Sequence, residues 1–411
     1  MSESGTHDQS APRNTIAGTT AKTQSMSAVD NVNEFDFDRL RRRPDIEAEN
    51  LFAVDASDRL ILDEAAGALA AYRAGGVVVL EDRYGALTLG AAALHNARGI
   101  RVYQDALSGE YALDSNASGV NLTEAYRSLP LGEELLKDAH VVLLQLPKSL
   151  DALDEIAGAI AKYAAPDVIV FAGGRIKHMT VSMNEVLRRH FGALNVRPAR
   201  QKSRVLIASS PLAASSPLAA STTNWPHSER HEDFDLTVRG HGGVFAGTSI
   251  DIGTRALLEV LDRMKLDAER AIDLGCGTGV LAAALAAQRP LLRVLATDQS
   301  AVAVASARAT VDANALADRV TVVRADGLSG QADDSADLIL LNPPFHIGAS
   351  VHAGLAEKLF IDAARVLAPG GELWTVWNTH LGYRPMLTRI VGSTRQVGRN
   401  TKFTVTVSTG R

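Results

Sequence analysis

"RAIDLGCGTGVLAAAL", residues 270–285, decides how the rest of the chain is read. Arg270–Leu274 is a short, mostly apolar run of strand type. Three glycines at alternate positions follow, Gly275, Gly277 and Gly279, and then a helix-forming stretch over Val280–Gln288. Glycine at a strand-to-helix turn lets backbone approach a ligand closely and turns a helix N-terminus towards it. Alone, such a turn is weak evidence, because many tight turns are glycine-rich. Its neighbours supply context. The next strand, residues 293–297, runs into Asp298, 19 residues after Gly279, where a carboxylate suits the two hydroxyls of a ribose. A third strand, Val320–Arg324, leads to Asp326-Gly327, and a fourth, Ala336–Leu341, ends in Asn342-Pro343-Pro344-Phe345. Each acid taken singly is as readily a helix cap or turn residue. The ordered set lies at the carboxyl ends of successive strands, where open α/β sheets bind ligands, and it predicts a nucleoside site.

The end of the fourth strand is stiff. Proline cannot extend a helix or donate to a sheet ladder, and it pushes the preceding residue towards extended geometry. The pair either only terminates the strand or holds Asn342 and Phe345 rigidly for chemistry.

The same order of elements occurs earlier with other residues. "VVVLEDRYGALTLGAAAL" (77–94) parallels 270–285, "RVYQDALSGEYALDSNA" (101–117) parallels 293–315, "DAHVVLLQLPKSL" (138–150) parallels 335–347, and "RQKSRVLIASS" (200–210) parallels the last 14 residues. Both halves alternate apolar strands with helical segments. The expected fold is α/β, a tandem duplication of one Rossmann-like open sheet. In the first copy Asp82-Arg83-Tyr84-Gly85 replaces the three-glycine turn, and Gln145-Leu146-Pro147-Lys148 replaces Asn-Pro-Pro-Phe. Bulk and charge stand where a nucleoside must approach, so this copy is expected to be inert, serving RNA binding or structural support. Residues 1–34 are polar and unpatterned and are expected to be disordered. The Ser/Ala/Pro-rich stretch 209–224 is expected to be a linker. The predicted domains are therefore 35–208 and 225–411.

The 411 residues are 46% hydrophobic, enough for two cores. The sequence has no run long and apolar enough for a membrane span, and its N-terminus lacks a secretory pattern. Cys276 is the single cysteine, so no disulfide forms within the chain, and the histidines show no metal-ligand spacing. These features predict a cytoplasmic protein with no metal and no membrane partner, working as a monomer. The net charge of −5 excludes a generic nucleic-acid coat, but the basic residues are clustered. Residues 175–204 hold eight Lys or Arg against Glu185 alone, and residues 373–411 hold six and no acid. Both stretches suit phosphate. Arg188, Arg189, Arg200, Lys202, Arg399 and Lys402 are the candidate RNA contacts, with solvated surface as the plain alternative.

The set Asp273-x-Gly275-x-Gly277-x-Gly279, Asp298, Asp326 and Asn342-Pro343-Pro344-Phe345 resembles the class I S-adenosylmethionine-dependent methyltransferases. It is similar to the branch that methylates planar exocyclic amino or amide nitrogens. More narrowly, "NPPFH" (342–346) with "GGVFAGTSIDIGTRALLEVL" (242–261) resembles the ribosomal RNA guanine-N2 methyltransferases, which also carry a degenerate N-terminal copy. "HMTVSMNEVLRRHFG" (178–192) and "NTKF" (400–403) are closer to the large-subunit (23S) enzymes than to the small-subunit (16S) ones. The resemblance implies S-adenosyl-L-methionine as cofactor and ribosomal RNA as substrate. It places Asp273, Gly275, Cys276, Gly277 and Gly279 at the methionine end, Asp298 on the ribose, Asp326 on the adenine amine and Phe245 near the methyl donor. It makes Asn342 and Pro343 acceptors for the guanine amine, with Pro344 as stiffener and Phe345 stacked on the base. Competing readings are a 16S rRNA enzyme, a protein-glutamine or DNA-adenine N-methyltransferase, and a noncatalytic RNA-binding assembly factor.

Overall fold

The structure is a computed structural model, and it describes residues 35–213, 224–343 and 349–411. Pro344, Phe345, the predicted disordered leader 1–34 and most of the predicted linker lie outside the described residues. The first half contains strands β1 (Val77–Leu80), β2 (Ile100–Tyr103), β3 (Tyr126–Ser128), β4 (Val141–Gln145), β5 (Ile169–Arg175), β6 (Phe191–Val196) and β7 (Ser203–Pro211). Its helices are α1 (Ala56–Ala71), α2 (Ala86–Leu94), α3 (Leu107–Gly119), α4 (Glu133–Leu136), α5 (Leu150–Tyr163) and α6 (Val181–His190). The hairpin β8 (His227–His231) and β9 (Leu236–Gly240) opens the second half. Then come β10 (Arg270–Leu274), β11 (Arg293–Asp298), β12 (Val320–Arg324), β13 (Ala336–Leu341), β14 (Leu367–Asn378), β15 (Thr394–Arg399) and β16 (Phe403–Thr409). The helices of this half are α7 (Ile252–Leu258), α8 (Val280–Gln288), α9 (Ala301–Ala313), α10 (Ala349–Val366) and α11 (Arg384–Ile390).

Each half builds one seven-stranded sheet, and the two orders are the same: β3-β2-β1-β4-β5-β7-β6 and β12-β11-β10-β13-β14-β16-β15. In both, the first five strands pair in parallel and the last two pairings are antiparallel, so only β7 and β16 run against the rest of their sheets. Parallel strands with helices on both faces must be apolar on both sides, which is why β1 and β4 are buried throughout. Successive residues serve opposite faces: Val77 and Val79 join one core and Val78 and Leu80 the other. Leu338 and Leu340 on β13 likewise separate from Ile339 and Leu341. The duplication expected from the sequence is therefore the architecture of the molecule. One boundary differs: β7 runs to Pro211, with Ser209 paired to Ile169 and Pro211 to Phe191, so the stretch predicted as linker begins inside a strand. Its Ser/Pro composition concealed the strand end, which is set by pairing with β5 and β6.

The order of strands reverses between β1 and β4 and between β10 and β13, so each sheet has a crevice at its carboxyl edge. The turns at these crevices share a backbone. Gly279 and Gly85, the N-caps of α8 and α2, are both left-handed, at φ +75° and +96°. Counting back from the caps, Gly277 and Gly275 (φ +54° and +73°) match Arg83 and Glu81 (φ +63° and +60°). The first copy keeps the glycine turn with only one of its three glycines, at a steric cost of order 1 kcal/mol or more for each of the two non-glycine residues.

The halves join through matching loops. Leu107 N donates to Gln299 O at 3.0 Å and Ala301 N to Asp105 O at 2.8 Å. Asp105 Oδ1 accepts from Ser300 Oγ (2.7 Å) and Val302 N (2.9 Å). Arg324 reaches across to Glu110 at 2.8 Å and to the carbonyls of Gln104 and Asp105 at 3.0 and 2.9 Å. On α5, Glu155 accepts from Gly242 N (2.7 Å) and pairs with His241 Nδ1 (2.5 Å), which fixes the segment leading into α7.

Candidate active site

The three glycines after β10 have two different physical reasons. A Cβ on Gly275 or Gly277 would meet nothing within 4 Å, so the left-handed backbone, and not crowding, favours glycine there, and the space beside the turn stays open. At Gly279 a Cβ would lie 3.0 Å from Ala307, so that glycine lets α8 pack on α9. Gly275 N and Cys276 N both donate to Thr297 O, at 2.8 and 2.9 Å, and lash the turn to β11.

Asp298 ends β11 next to that open space. Its Oδ2 accepts from Gly277 N at 3.0 Å and its Oδ1 from Ser300 N at 2.9 Å. Burial pushes its carboxyl above the ordinary range, opposed by these backbone donors. Asp273, on β10, is buried with Oδ2 accepting from Ala282 N at 3.0 Å, and burial raises its pKa to about 7. One of its oxygens therefore secures the first turn of α8. Cys276 is buried, and burial, then Asp273 and Asp298, push its thiol well above its usual value. It is a space-filling thiol and not a nucleophile. Asp326 follows β12 and pairs with Lys358 Nζ of α10 at 2.5 Å. Phe245 sits in the loop before α7 with 61% of its surface exposed.

Asn342, directly after β13, is the most informative residue. Its Nδ2 donates to Thr254 Oγ1 at 3.1 Å and to both oxygens of Asp251 at 3.3 Å. Thr254 gives its own hydroxyl proton to Asp251 Oδ2 at 2.5 Å, so towards the amide it can only accept. These partners fix the amide orientation. Asn342 Oδ1, on the other side, is a buried acceptor with no partner. Such an atom costs about 1–3 kcal/mol unless something meets it. Asp251 is held in turn as the N-cap of α7, accepting from Gly253 N at 2.8 Å. Gly253 makes the approach possible, because a Cβ there would stand 3.0 Å from Asn342 Oδ1. Asp251, Gly253 and Thr254 escaped the sequence reading as site residues, although Asp-x-Gly-Thr at a helix start carried an N-cap signal.

The structure thus brings Asp273, the glycine turn and Asp298 together at one crevice and sets Asn342 and Pro343 at the end of the adjacent central strand. The RNA candidates fare unevenly. Arg188, Lys202, Arg399 and Lys402 are exposed. Arg189 lies 3.3 Å from Asp154, and Arg200 3.4 Å from Asp63 and 3.6 Å from Glu64, so each already has an acidic neighbour. Their acidic partners are remote in sequence and only the fold brings them near. Among the described residues no group of His, Cys, Asp or Glu is placed to hold a metal, and no helix is long and apolar enough to cross a membrane.

Residues 235–407 match the family model described as methyltransferase small domain, and residues 30–212 match the RLMG N-terminal domain. The ribosomal RNA large subunit methyltransferase G of Pseudomonas aeruginosa is 39% identical over 371 residues, covering 89% of this chain and 96% of the relative. The protein of the same name from Streptomyces avermitilis is 36% identical over 372 residues, covering 89% and 95%. The solved T. thermophilus 16S rRNA N2 methyltransferase, in complex with AdoMet and guanosine, superposes with a TM-score of 0.67 over 89% of this chain and 97% of that one. At 22% identity the likeness is one of fold.

Proposed function

The chain belongs to the ribosomal RNA large subunit methyltransferase G family, and on that premise we propose that it methylates the exocyclic N2 amine of a guanine in 23S ribosomal RNA, using S-adenosylmethionine. The carrying observation is Asn342 Oδ1, a buried acceptor with no partner beside an amide nitrogen that is fully engaged.

The residues fit the cofactor. Open space lies over Gly275 and Gly277, Asp298 borders it, and Asp273 keeps a second oxygen beyond the one bound to Ala282. In this reading Asp298 takes the ribose hydroxyls, Asp273 and the turn take the methionine end, and Asp326 turns from Lys358 to the adenine amine. When bound, S-adenosylmethionine supplies an electrophilic methyl carbon. A guanine N2 is a poor nucleophile because its lone pair is delocalised into the ring. Asn342 Oδ1 and the Pro343 carbonyl accept from its two hydrogens and favour localisation of the lone pair. Neither group is a strong base, and the proton released from nitrogen passes to solvent. The chain's main contribution is alignment. Phe345 is assigned the stacking role on sequence grounds alone.

Residues 35–211 act as the noncatalytic copy and 225–411 as the catalytic domain of a cytoplasmic monomer. Arg188, Lys202, Arg399 and Lys402 are exposed and available to RNA. The test is mass-mapping of nucleosides in 23S and 16S rRNA from cells with and without the protein, with methyl transfer to each purified rRNA. Loss of one N2-methylguanine from 23S rRNA is expected. An unchanged map refutes the proposal.

A further inference from the structure

The crevice of the first sheet has not closed. It remains a cleft of about 320 Å³ at the carboxyl ends of β1, β4 and β5. Register identifies its parts. Leu80 pairs with Leu144 as Leu274 pairs with Leu341, so Gln145 stands at the position of Asn342. Arg83 stands at the position of Gly277. The space that receives substrate in the second copy is lined here by cations: Arg83, Lys148, Arg175 and Lys177, with His178 among them. Asp55 is the one surface carboxylate of the lining, and it already caps α1 by accepting from Ser57 N.

Three observations indicate that these charges are for a ligand. Among the described residues none of the four makes an ion pair, whereas Arg189, Arg197 and Arg200 of the same half all do. Arg175 Nε is buried and has no hydrogen-bond partner. Arg83 keeps its charge at the cleft from a left-handed backbone position that glycine fills in the other copy. Desolvation, and then Lys148, Lys177, Arg83 and Arg175 around it, hold the His178 imidazole below its ordinary value, so the cations converge on one place.

We propose that this degenerate crevice is an anion site that receives an RNA phosphodiester, the catalytic copy's substrate space having become a backbone clamp in its duplicate. It rests on the RNA reading above. A phosphodiester suits the cleft better than a free carboxylate, because mobile lysines around a fork-shaped guanidinium match several phosphate oxygens at once. Exposed cations also gain from counterion release on a polyanion.

The full chain carrying Arg83→Gly and Lys148→Ala tests this. Binding of a labelled RNA oligonucleotide is measured across a salt series, with inorganic phosphate and guanosine monophosphate as competitors. S-adenosylmethionine affinity and the melting temperature serve as controls for folding, and Lys177→Ala is an independent single variant. The expected result is about a tenfold loss of RNA affinity and a log–log salt slope shallower by about 0.7–1.8, one to two phosphate contacts. Unchanged RNA affinity and slope overturn the proposal. Loss of guanosine monophosphate binding with RNA affinity intact also overturns it, by assigning the cleft to a free nucleotide. Methyl transfer by the unmodified protein is scored separately, so a failure of the activity proposal leaves this binding test standing.

Discussion

Two amides at the ends of two equivalent strands have opposite fates. Gln145 is tied down at the start of α1: its Nε2 donates to Ser57 Oγ at 3.2 Å and to Asp58, and its Oε1 lies 3.3 Å from the Ser57 hydroxyl, which also donates to Asp55 Oδ1. Asn342 has its nitrogen engaged in the same way, by the start of α7, but its oxygen is free. Counting from the N-caps Asp55 and Asp251, Ser57 corresponds to Gly253. The first copy thus sets a hydroxyl beside its amide oxygen where the second has none, and the second amide keeps an open acceptor. Fold and chemistry are therefore separable here: the backbone, even its left-handed turn, survives in both copies, and activity depends on a few atoms.

Asn342→Ala breaks the comparison most directly. Turnover should fall about 10²–10³-fold, near 3–4 kcal/mol, as when one preorganised polar group leaves a transition-state site. Cofactor affinity by calorimetry should stay. Turnover within threefold of the parent would remove Asn342 from the mechanism. Asp298→Gln installs the residue at the same register in the first copy, Gln104, since Thr297 and Tyr103 are equivalent. The KM for S-adenosylmethionine should rise about 10–100-fold, the worth of hydrogen bonds to a charged group at 1.5–3 kcal/mol, with kcat less changed. An unaltered KM would take the ribose role from this strand end.

Gly253→Ser sharpens the contrast by giving the second copy the hydroxyl of the first. A hydroxyl that occupies Asn342 Oδ1 should slow turnover about tenfold or more, at roughly 0.5–1.5 kcal/mol for the bond plus crowding. Gly253→Ala supplies the crowding alone and separates the two effects. Equal rates for the Ser and Ala variants would deny the hydroxyl any part.

The smallest effect is on pH dependence. Burial raises Asp273 to about 7, and the first copy's Asp58 and Glu81 to about 7 and 8. The native state then holds protons that the unfolded chain has released. The stability from each group is complete below the unfolded value near 4 and is lost as pH rises through the folded value. Asp273→Asn keeps an acceptor for Ala282 N and removes the titration. Its unfolding free energy relative to the parent, measured by denaturant titration, should rise from pH 5 to pH 8, by up to about 1.4 kcal/mol per pH unit while the gap is open. A constant difference would mean that Asp273 is charged throughout.

The parts of this molecule legible in its sequence are those written in contiguous residues. The strand–turn–helix at 270–288, the repeated element order and the stiff end of β13 could all be read along the chain. The support for Asn342 could not, because Asp251 lies 91 residues away and meets the amide only through sheet closure. The same reason hid the acidic neighbours of Arg189 and Arg200: Arg200 lies 137 residues from Asp63. Charge clustering reports composition along a chain, whereas availability depends on neighbours in space. Arg83 was read as bulk that spoils a site, and register with Gly277 makes it the lining of a different one.

The crossing between the halves bears on cofactor binding. Gln299, Ser300 and Ala301, which follow Asp298 directly, are held by Leu107 and Asp105 of the other copy. Ordering three residues costs on the order of 3 kcal/mol in backbone entropy. In the intact chain this ordering is completed once, on folding, so the carboxylate meets a ribose already aimed. A catalytic half cut loose from its duplicate would have to order that loop at each encounter. The inert copy is in that sense a splint on the strand end where the cofactor is held.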